Sequence, residues 1–354
     1  TPPYPLLSGL VGSEMCIRDR MSESFDVLGN YWHAVATSDS VESEIFSVRL
    51  LHNDYVLWRT PDGQIVAALD SCTHRQAPLS KGTLEDGCLR CPYHGWLFGD
   101  EGHCLEVPSA SEGLPIPPKA NLKSLHVEEK YGLVWLCPNE PDAPIPEVAA
   151  DADSSFTRLN TKMQIWNTDS TRMIDNMLDI SHFPYTHRGT FGIEQETVVP
   201  RIKLEQLDET FFGYGYEVKI NNVGSTKVMS GGGDDIVKLF MTTGFALPFS
   251  VLSTMSYETG VEQKLFMTAA PIEEGKSIYT FVIWRNDDVS ALVEHDRTIA
   301  NEVIDFSFAV GLEDQMMLEK LEGQLSLEQG ALVDVQADKP SLEWRRQYKE
   351  LATS

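Results

Sequence analysis

Two short motifs, each with one cysteine and one histidine, constrain this chain more than any other feature of its sequence. Cys72-Thr-His74 and Cys91-Pro-Tyr-His94 are separated by sixteen residues, so each can place one thiolate and one imidazole on its own loop. Two thiolates and two imidazoles can hold a tetrahedral zinc ion, or a [2Fe-2S] cluster with the cysteines on one iron and the histidines on the other. Zinc fingers usually pair like with like, so the mixed pairs favour the cluster. Zinc, or core cysteines beside surface histidines, is the alternative.

The other cysteines do not offer a competing framework. Six cysteines in 354 residues are too few for a disulfide-based fold. Cys88 forms a Cys-x2-Cys pair with Cys91, but no second pair is present to complete a zinc knuckle. We therefore predict that Cys88, Cys104 and Cys137 are structural thiols.

A second group of possible metal ligands follows the N-terminal half. Residues 168–182 are expected to be helical, which would place Asn176, Asp179 and His182 on one face at positions i, i+3 and i+6. A proline two residues after His182 cannot continue that helix, so His187 would lie just beyond its end. Two imidazoles and a carboxylate form the facial triad of non-heme iron(II) sites. Asp179 is either that carboxylate or a partner that accepts a hydrogen bond from a ligating imidazole.

The first motif resembles that of a known family. Cys72-x-His74 followed by Cys91-Pro-Tyr-His94-Gly-Trp is similar to the Rieske signature, including the proline and glycine of its tight loop. The resemblance implies that these two cysteines and two histidines hold a [2Fe-2S] cluster in a small all-β domain. Histidine ligation would place the potential of that cluster between about −150 and +300 mV, high enough to accept electrons from a ferredoxin-like donor.

The second motif extends the resemblance to Rieske non-heme iron oxygenases, because Asp179-x2-His182-x4-His187 is similar to their iron-binding pattern. The resemblance implies that both histidines bind iron(II) and that a carboxylate from a long C-terminal helix completes the site. In the family that carboxylate follows an acidic pair, which Glu313-Asp314 matches, and this selects Asp314. The alternatives are Glu313, Glu319 and Asp305.

In that family the aspartate of the second motif also links two subunits. Here the link would run from His94 of one subunit through Asp179 to His182 of the next, for electron transfer. A homotrimer is therefore expected, since a subunit's own cluster would lie too far from its iron. Asn176, on the same predicted helical face, is a further candidate catalytic residue.

Within the family the chain resembles the homotrimeric monooxygenase branch, which includes vanillate and dicamba O-demethylases and saxitoxin-pathway hydroxylases. This implies a terminal oxygenase that uses O2 to hydroxylate, or oxidatively O- or N-demethylate, a small aromatic or polycyclic substrate. A separate NAD(P)H-dependent reductase or ferredoxin would supply electrons, since the sequence has neither a Gly-rich dinucleotide fingerprint nor a plant-type Cys-x4-Cys-x2-Cys run. A Rieske-type electron carrier, or a ligand-binding homologue without oxygenase activity, is the alternative.

The predicted fold is α+β, with an all-β Rieske domain followed by a helix-grip (START-like) domain. Residues 1–20 resemble translated adapter sequence, so we predict a native start at Met21. In the second domain an antiparallel sheet, at residues 201–284, is expected to pack against two helices, the later one at 290–321 with an interruption at Gly311. The predicted parts are a non-native leader at 1–20, the Rieske domain at 21–140, a proline-rich linker at 141–150 and the catalytic domain at 151–354.

Charge and hydropathy exclude other classes of protein. With 28 Lys and Arg against 53 Asp and Glu, the formal charge is −25, which repels nucleic acids and anionic membrane surfaces. No apolar run approaches the roughly 18 residues of a membrane span, so we expect a cytoplasmic protein whose ligand is a small molecule.

Two further sets of residues carry predictions. The substrate pocket is expected between the long helix and the sheet, with the aromatic candidates Phe240, Phe245, Trp284 and Phe308. The remaining histidines are predicted to be structural or at the surface, namely His33, His52, His103, His126 and His295.

Overall fold

The computed structural model describes residues 26–42, 44–111, 113–293, 296–328 and 330–353. The predictions for the leader at residues 1–20, for a start at Met21 and for His295 lie outside the described residues. Within them, short strands fill the N-terminal part, and a large sheet with helices fills the C-terminal part. The predicted α+β class is therefore confirmed.

Three small antiparallel sheets form the N-terminal part. Their strands are β1 (His33–Thr37), β2 (Phe46–Leu50), β3 (Asn53–Arg59), β4 (Ile65–Leu69), β5 (Thr83–Glu85), β6 (Cys88–Arg90), β7 (Leu97–Phe98), β8 (Cys104–Glu106), β9 (His126–Lys130) and β10 (Leu133–Cys137). The strand orders are β1-β10-β9, β2-β3-β4 and β5-β6-β7-β8. The loop after β4 and the loop between β6 and β7 carry the two Cys-His motifs.

Strand β3 ties these loops to the rest of the molecule. Tyr55 and Leu57 point to a buried cluster that extends into the C-terminal part, whereas Val56 and Trp58 point to a second cluster that contains Cys72. A strand buried on both faces needs apolar residues at consecutive positions, as this strand has.

An eight-stranded antiparallel sheet forms the centre of the C-terminal part. Its strands are β11 (Thr157–Asn160), β12 (Gln164–Trp166), β13 (Glu205–Gln206), β14 (Phe212–Asn221), β15 (Ile236–Ala246), β16 (Ser250–Tyr257), β17 (Glu262–Glu273) and β18 (Lys276–Arg285). The strand order is β11-β18-β17-β16-β15-β14-β13, and β12 also pairs with β18. The five long strands, β14 to β18, form the wall against which the helices pack.

The C-terminal part also contains more helices than predicted. They are α1 (Ser170–Leu178), α2 (Phe183–Thr186), α3 (Ser225–Met229), α4 (Ile299–Leu318) and α5 (Lys339–Ala352). The prediction of two helices is wrong, chiefly because it omits α5, in which Trp344, Tyr348 and Leu351 are buried with helical spacing. The charged residues between them mask that pattern. Of the helices in the described residues, none combines the length and apolarity that crossing a membrane requires.

Helix α1 is shorter than the predicted range of 168–182. It ends at Leu178, and Asp179 takes an extended conformation with ψ 141°. The Asp179 carboxylate accepts hydrogen bonds from the backbone N–H groups two and three residues further on, which competes with continuation of the helix. Asp179 and His182 therefore do not share a helical face with Asn176, and the expected i, i+3, i+6 arrangement is wrong.

Helix α4 also differs from its predicted bounds of 290–321. A capping box between Thr298 and Asn301 starts the helix at Ile299. Gly311 does not interrupt it, because a single glycine costs a helix only about 1 kcal/mol, which packing of the flanking turns offsets. A Cβ at Gly311 would meet no heavy atom nearer than 3.9 Å.

The proline-rich segment between the two parts is packed rather than free. The Tyr131 hydroxyl donates a hydrogen bond to the Pro146 carbonyl at 3.0 Å and accepts one from the Val148 N–H at 2.8 Å. Val148 and Tyr131 belong to a buried cluster with Phe266 and Trp284 of the large sheet. The segment thus connects the N-terminal sheets to the C-terminal sheet.

Candidate metal centres

The two Cys-His loops have the same backbone design. In each, the cysteine N–H donates to the carbonyl five residues on, at 2.9 Å for Cys72 and 2.8 Å for Cys91. The cysteine carbonyl in turn accepts from the N–H four residues on, at Gln76 and at Gly95. Both of these residues have positive φ, 56° and 72°, the conformation that glycine adopts without strain. The loops therefore present their cysteines in equivalent ways.

The side chains of the loops separate into a thiol pair and an imidazole pair. Cys72 and Cys91 are buried, and burial raises the pKa of the Cys72 thiol to about 11. The rings of His74 and His94 lie with their centroids 4.4 Å apart, and His94 is exposed. His74 stacks on Trp96, and its buried Nδ1 atom has no hydrogen-bond partner.

This arrangement fits a two-iron cluster better than one zinc ion. A tetrahedral ion needs all its ligand atoms close to one point. Among the described residues, only His182, His187 and Asp314 bring three or more such atoms within 4.8 Å of one another. The four loop residues do not, whereas separate thiol and imidazole pairs match the two irons of a Rieske cluster. The remaining cysteines in the described part of the chain, Cys88, Cys104 and Cys137, are free thiols.

The second centre is a convergence of three side chains. The Nε2 atoms of His182 and His187 lie 3.1 Å apart, and Asp314 Oδ1 lies 3.5 Å from the first and 3.3 Å from the second. His182 precedes α2, His187 follows it, and Asp314 comes from α4, which packs against α2. Helix packing therefore brings together residues that are 127 positions apart in the chain.

The competing carboxylates have other partners. Glu319 accepts hydrogen bonds from the Asn167 N–H and the Gln315 amide, and Asp305 pairs with Arg297. Asp179 lies on the far side of His182, with its Oδ2 3.0 Å from Nδ1. Of the roles considered for Asp179 from sequence, the structure places it as the partner of an imidazole and outside the convergence point.

Glu313 has the corresponding place beside the other histidine. Its Oε2 lies 2.9 Å from His187 Nδ1 and accepts a hydrogen bond from the Thr190 hydroxyl at 2.8 Å. Each imidazole thus donates from Nδ1 to a carboxylate, which fixes the tautomer and leaves Nε2 free to bind a metal. Sequence reasoning considered Glu313 only as a ligand, although an acidic pair on one helix could have indicated this second role.

The electrostatics of the triad favour a bound cation. Burial lowers the pKa of His187, but Asp314 and Glu313 outweigh burial and raise it. Burial raises the pKa of Asp314, but His187, His182 and the amide of Asn176 outweigh it and keep the carboxyl ionised. Asp314 Oδ1 is buried and makes no hydrogen bond of acceptable geometry. A metal ion at the convergence point would satisfy this oxygen.

A mostly apolar cavity opens beside the triad, between the large sheet and α4. Its volume is about 150 Å³. Trp166, Phe183, Phe281 and Phe306 supply aromatic surface, and Asn176 lies at the end that contains the triad. Six methionines also line the cavity, namely Met173, Met177, Met229, Met241, Met255 and Met267.

The four aromatic residues predicted for the pocket do not line this cavity. On β15, Leu239 and Met241 face inward, so Phe240 points to the other face of the sheet and is half exposed. Trp284 packs beside Tyr131 at the junction of the two parts. The other two candidates are in the surrounding core, Phe245 on β15 and Phe308 on α4.

Comparisons with known proteins match both parts of the chain. Residues 31–125 match the Rieske [2Fe-2S] domain, and residues 166–354 match the vanillate O-demethylase oxygenase C-terminal domain. The methylxanthine N1-demethylase NdmA of Pseudomonas putida is 28% identical over 343 residues, which cover 94% of this chain and 91% of NdmA. The methylxanthine N3-demethylase NdmB of the same organism is 30% identical over 342 residues, covering 92% and 90%. A solved structure of NdmA matches with a TM-score of 0.78 at 25% identity, covering 94% of this chain and 92% of that one.

Proposed function

The chain belongs to the Rieske non-heme iron oxygenases that have the C-terminal domain of vanillate O-demethylase oxygenases, and from this premise we propose its reaction and its ligands. It is the terminal oxygenase of a multicomponent system that hydroxylates, or oxidatively O- or N-demethylates, a small aromatic or polycyclic substrate. Members of the family work with a separate reductase or ferredoxin. We extend that partner, and a cytoplasmic location, to this chain.

One observation carries the proposal. His182 Nε2, His187 Nε2 and Asp314 Oδ1 converge within 4.8 Å at the wall of an apolar cavity. Two imidazoles and one carboxylate leave further coordination positions open, which a purely structural metal site does not need. An electron carrier would need neither these ligands nor the cavity.

The residues present fit both metal groups. Cys72, Cys91, His74 and His94 would hold the [2Fe-2S] cluster, for which His74 Nδ1 is a buried atom without another partner. The triad would hold the mononuclear iron, which the unsatisfied Asp314 Oδ1 supports. When bound, these groups supply single electrons and activate O2.

The surrounding side chains prepare the site. Asp179 and Glu313 keep the Nδ1 protons of the two histidines in place, so both Nε2 atoms face the same point. Asn176 lies beside Asp314, where it helps to lower the pKa of that carboxyl. The apolar walls exclude water from the position at which the substrate carbon would sit.

A homotrimer would complete the electron path. Asp179 would join His182 of one subunit to His94 of the next, and the Asp179 side chain retains 22% exposure in the single chain. Apolar side chains are also exposed around the two centres, at Tyr93 and at Tyr185, Leu312 and Met316 on the packed pair α2 and α4. Such exposed apolar surface is typical of a protein interface.

The test is turnover with a supplied electron source. The purified, iron-loaded protein would be combined with a ferredoxin, its reductase, NADPH and O2, and with a panel of methoxy-aromatic, N-methyl and alicyclic compounds. We expect substrate-dependent O2 uptake, with a hydroxylated or demethylated product seen by mass spectrometry. A cluster that is reduced and reoxidised without any coupled product would favour the electron-carrier alternative.

A further inference from the structure

A buried arginine controls the orientation of one polar side chain at the cavity wall. Gln263 of β17 lines the cavity and is only 2% exposed, and Arg285 of β18 is its direct cross-strand partner. Arg285 donates a hydrogen bond from one terminal nitrogen to Gln263 Oε1 at 2.9 Å. Because a guanidinium can only donate, the Gln263 oxygen must face Arg285. The amide NH2 group is therefore turned away from the arginine.

Arg285 is itself held rigidly and has no donor left for a ligand. Its guanidinium has five N–H groups. Two bind the Asp287 carboxylate at 2.9 and 2.6 Å, two bind the carbonyls of Met229 and Val228 at 3.0 and 3.4 Å, and the fifth binds Gln263. With its charge balanced by Asp287, this arginine cannot serve as a receptor for a substrate carboxylate.

The Gln263 NH2 group lacks a comparable partner. It donates to the Met255 sulfur at 4.0 Å, and a thioether is a weak acceptor. Since Gln263 lines the cavity, the fixed amide offers two N–H donors to whatever occupies that space. Among the described residues that line the cavity there is no lysine or arginine, and the carboxylates and imidazoles belong to the triad and Asp179.

This donor and the triad line the same cavity from different elements, Gln263 from β17 of the sheet and the triad from α4 and the two ends of α2. Tyr279 of β18 contacts α4 at Gly311, one turn before Asp314. Arg285 and its partner Gln263 lie six residues further along the same pair of strands. A substrate that contacts both must therefore carry its hydrogen-bond acceptor at a different position from the carbon that is oxidised.

We propose that Gln263 is a specificity-determining residue, held by Arg285 as a positioning residue, for an uncharged substrate whose hydrogen-bond acceptor is separate from the carbon that is oxidised. Suitable acceptors are a carbonyl oxygen or a ring nitrogen. A substrate with a carboxylate or sulfonate at that end is rejected, because no free cation is available to pair with it. This inference rests on the proposed function only in taking the cavity as the substrate site.

The experiment uses three probes of one shape. They are 2-acetyl-6-methoxynaphthalene, its 2-isopropenyl analogue without the acceptor, and 6-methoxy-2-naphthoate. Binding to the anaerobic, iron-loaded protein is measured by calorimetry, and product formation is measured separately. We expect the ketone to bind about tenfold more tightly than the alkene, the worth of one hydrogen bond, and the carboxylate to bind least. Equal affinities for the first two, tightest binding of the carboxylate, or no binding of the ketone would overturn the proposal.

Three variants and one control test whether Gln263 and Arg285 cause the preference for the ketone. Gln263→Leu should bring the ketone and alkene affinities within about twofold of each other, and Gln263→Glu, which keeps an acceptor for Arg285, should disfavour the ketone. Arg285→Lys should reduce the preference for the ketone, since the amide can then turn over. If Arg285 had only a structural role, Arg285→Lys would lower the affinity for the ketone and for the alkene by the same factor. The control, Lys264→Met, alters the next residue of β17 on the other face and should keep the wild-type ratio.

The two proposals fail in different ways. Selective binding of the ketone without any product would count against the oxygenase function and leave the specificity assignment standing. Equal binding and equal turnover of ketone and alkene would count against the specificity assignment and leave the oxygenase function standing. If Arg285→Lys does not fold, the two Gln263 variants alone decide the assignment.

Discussion

The two candidate metal centres position the same kind of side chain, an imidazole, in opposite ways. Around Cys72 and Cys91, hydrogen bonds of the loop backbone repeat at equivalent positions, and Nδ1 of His74 has no partner. At the triad, each histidine donates from Nδ1 to a carboxylate, Asp179 or Glu313. The first centre is therefore shaped by the backbone, and the second by side chains from separate helices and turns.

The histidines of the two centres also differ in solvent exposure. His94 is at the surface, whereas His187 is 2% exposed. A site that receives electrons from another protein must be reachable, and a site that oxidises a carbon must exclude water. The comparison indicates that Asp179 and Glu313 serve the buried triad, where a metal has to be bound firmly while some of its coordination positions stay open.

The largest expected effect tests whether the centres are independent. His187→Ala removes one ligand of the triad, so iron should fall from about three to about two atoms per chain, and turnover by more than about 1,000-fold. The visible absorption of the cluster should not change. Iron analysis and absorption spectra check both statements. The exposed His126→Ala is the control, and loss of colour in His187→Ala would contradict independence.

The next effect concerns the carboxylate beside His182. Asp179→Asn keeps a side chain that can bind the backbone turn but removes its charge, so both metal groups should stay in place while turnover falls roughly 100-fold. The measurements are iron content and single-turnover rates with a pre-reduced cluster. Turnover at the wild-type rate would refute the link between subunits. An active monomer in sedimentation would refute it independently.

A smaller effect is expected at the carboxylate beside His187. Glu313→Gln leaves an acceptor for Nδ1 but withdraws its charge, and iron affinity should fall about tenfold. Competition with a chelator, followed by metal analysis, measures the affinity. Glu319→Gln is the matched control on the same helix, because Glu319 contacts Asn167 and Gln315 instead of a histidine. Equal affinities in the two variants would remove Glu313 from the metal site.

The smallest expected effects are changes in stability when a glycine is replaced by alanine, in a Cys-His loop and in helix α4. Gly95 has φ +72°, so Gly95→Ala should destabilise its loop by about 1–2 kcal/mol and make the cluster bleach earlier on heating. Gly311 is helical and has room for a methyl group, so Gly311→Ala should stabilise the C-terminal part by about 0.5–1 kcal/mol. Thermal unfolding followed by absorbance and circular dichroism reports each part. Shifts of the same sign would contradict the comparison.

The contrast between local loops and packed helices also explains which site residues could be predicted from the sequence. The Cys-His pairs and the pair His182 and His187 are local motifs, so their spacing alone indicated metal binding. Asp314 lies 127 residues from His187, and only the family resemblance selected it. The structure brings these residues together through the packing of α2 on α4, which no local pattern encodes.

The errors also have physical causes. The end of α1 depends on whether the Asp179 side chain binds the backbone or solvent, and composition does not decide this. The cavity lining depends on which face of each strand turns inward, so Phe240 was selected although its neighbours Leu239 and Met241 face the cavity. Residue type identified apolar candidates, but strand register decided between them.

The six methionines of the cavity have a consequence for how this chain can diverge over generations. Methionine is unbranched and adopts many rotamers, so a wall built from it can change shape without a compensating substitution elsewhere. Descendants of one ancestor could therefore drift among differently shaped substrates at little cost in folding. Lasting differences in substrate preference would then come from substitutions at the few rigid positions of the cavity, such as Gln263. An ancestral reconstruction would find that most changes in substrate range accompany substitutions at those positions rather than at the methionines.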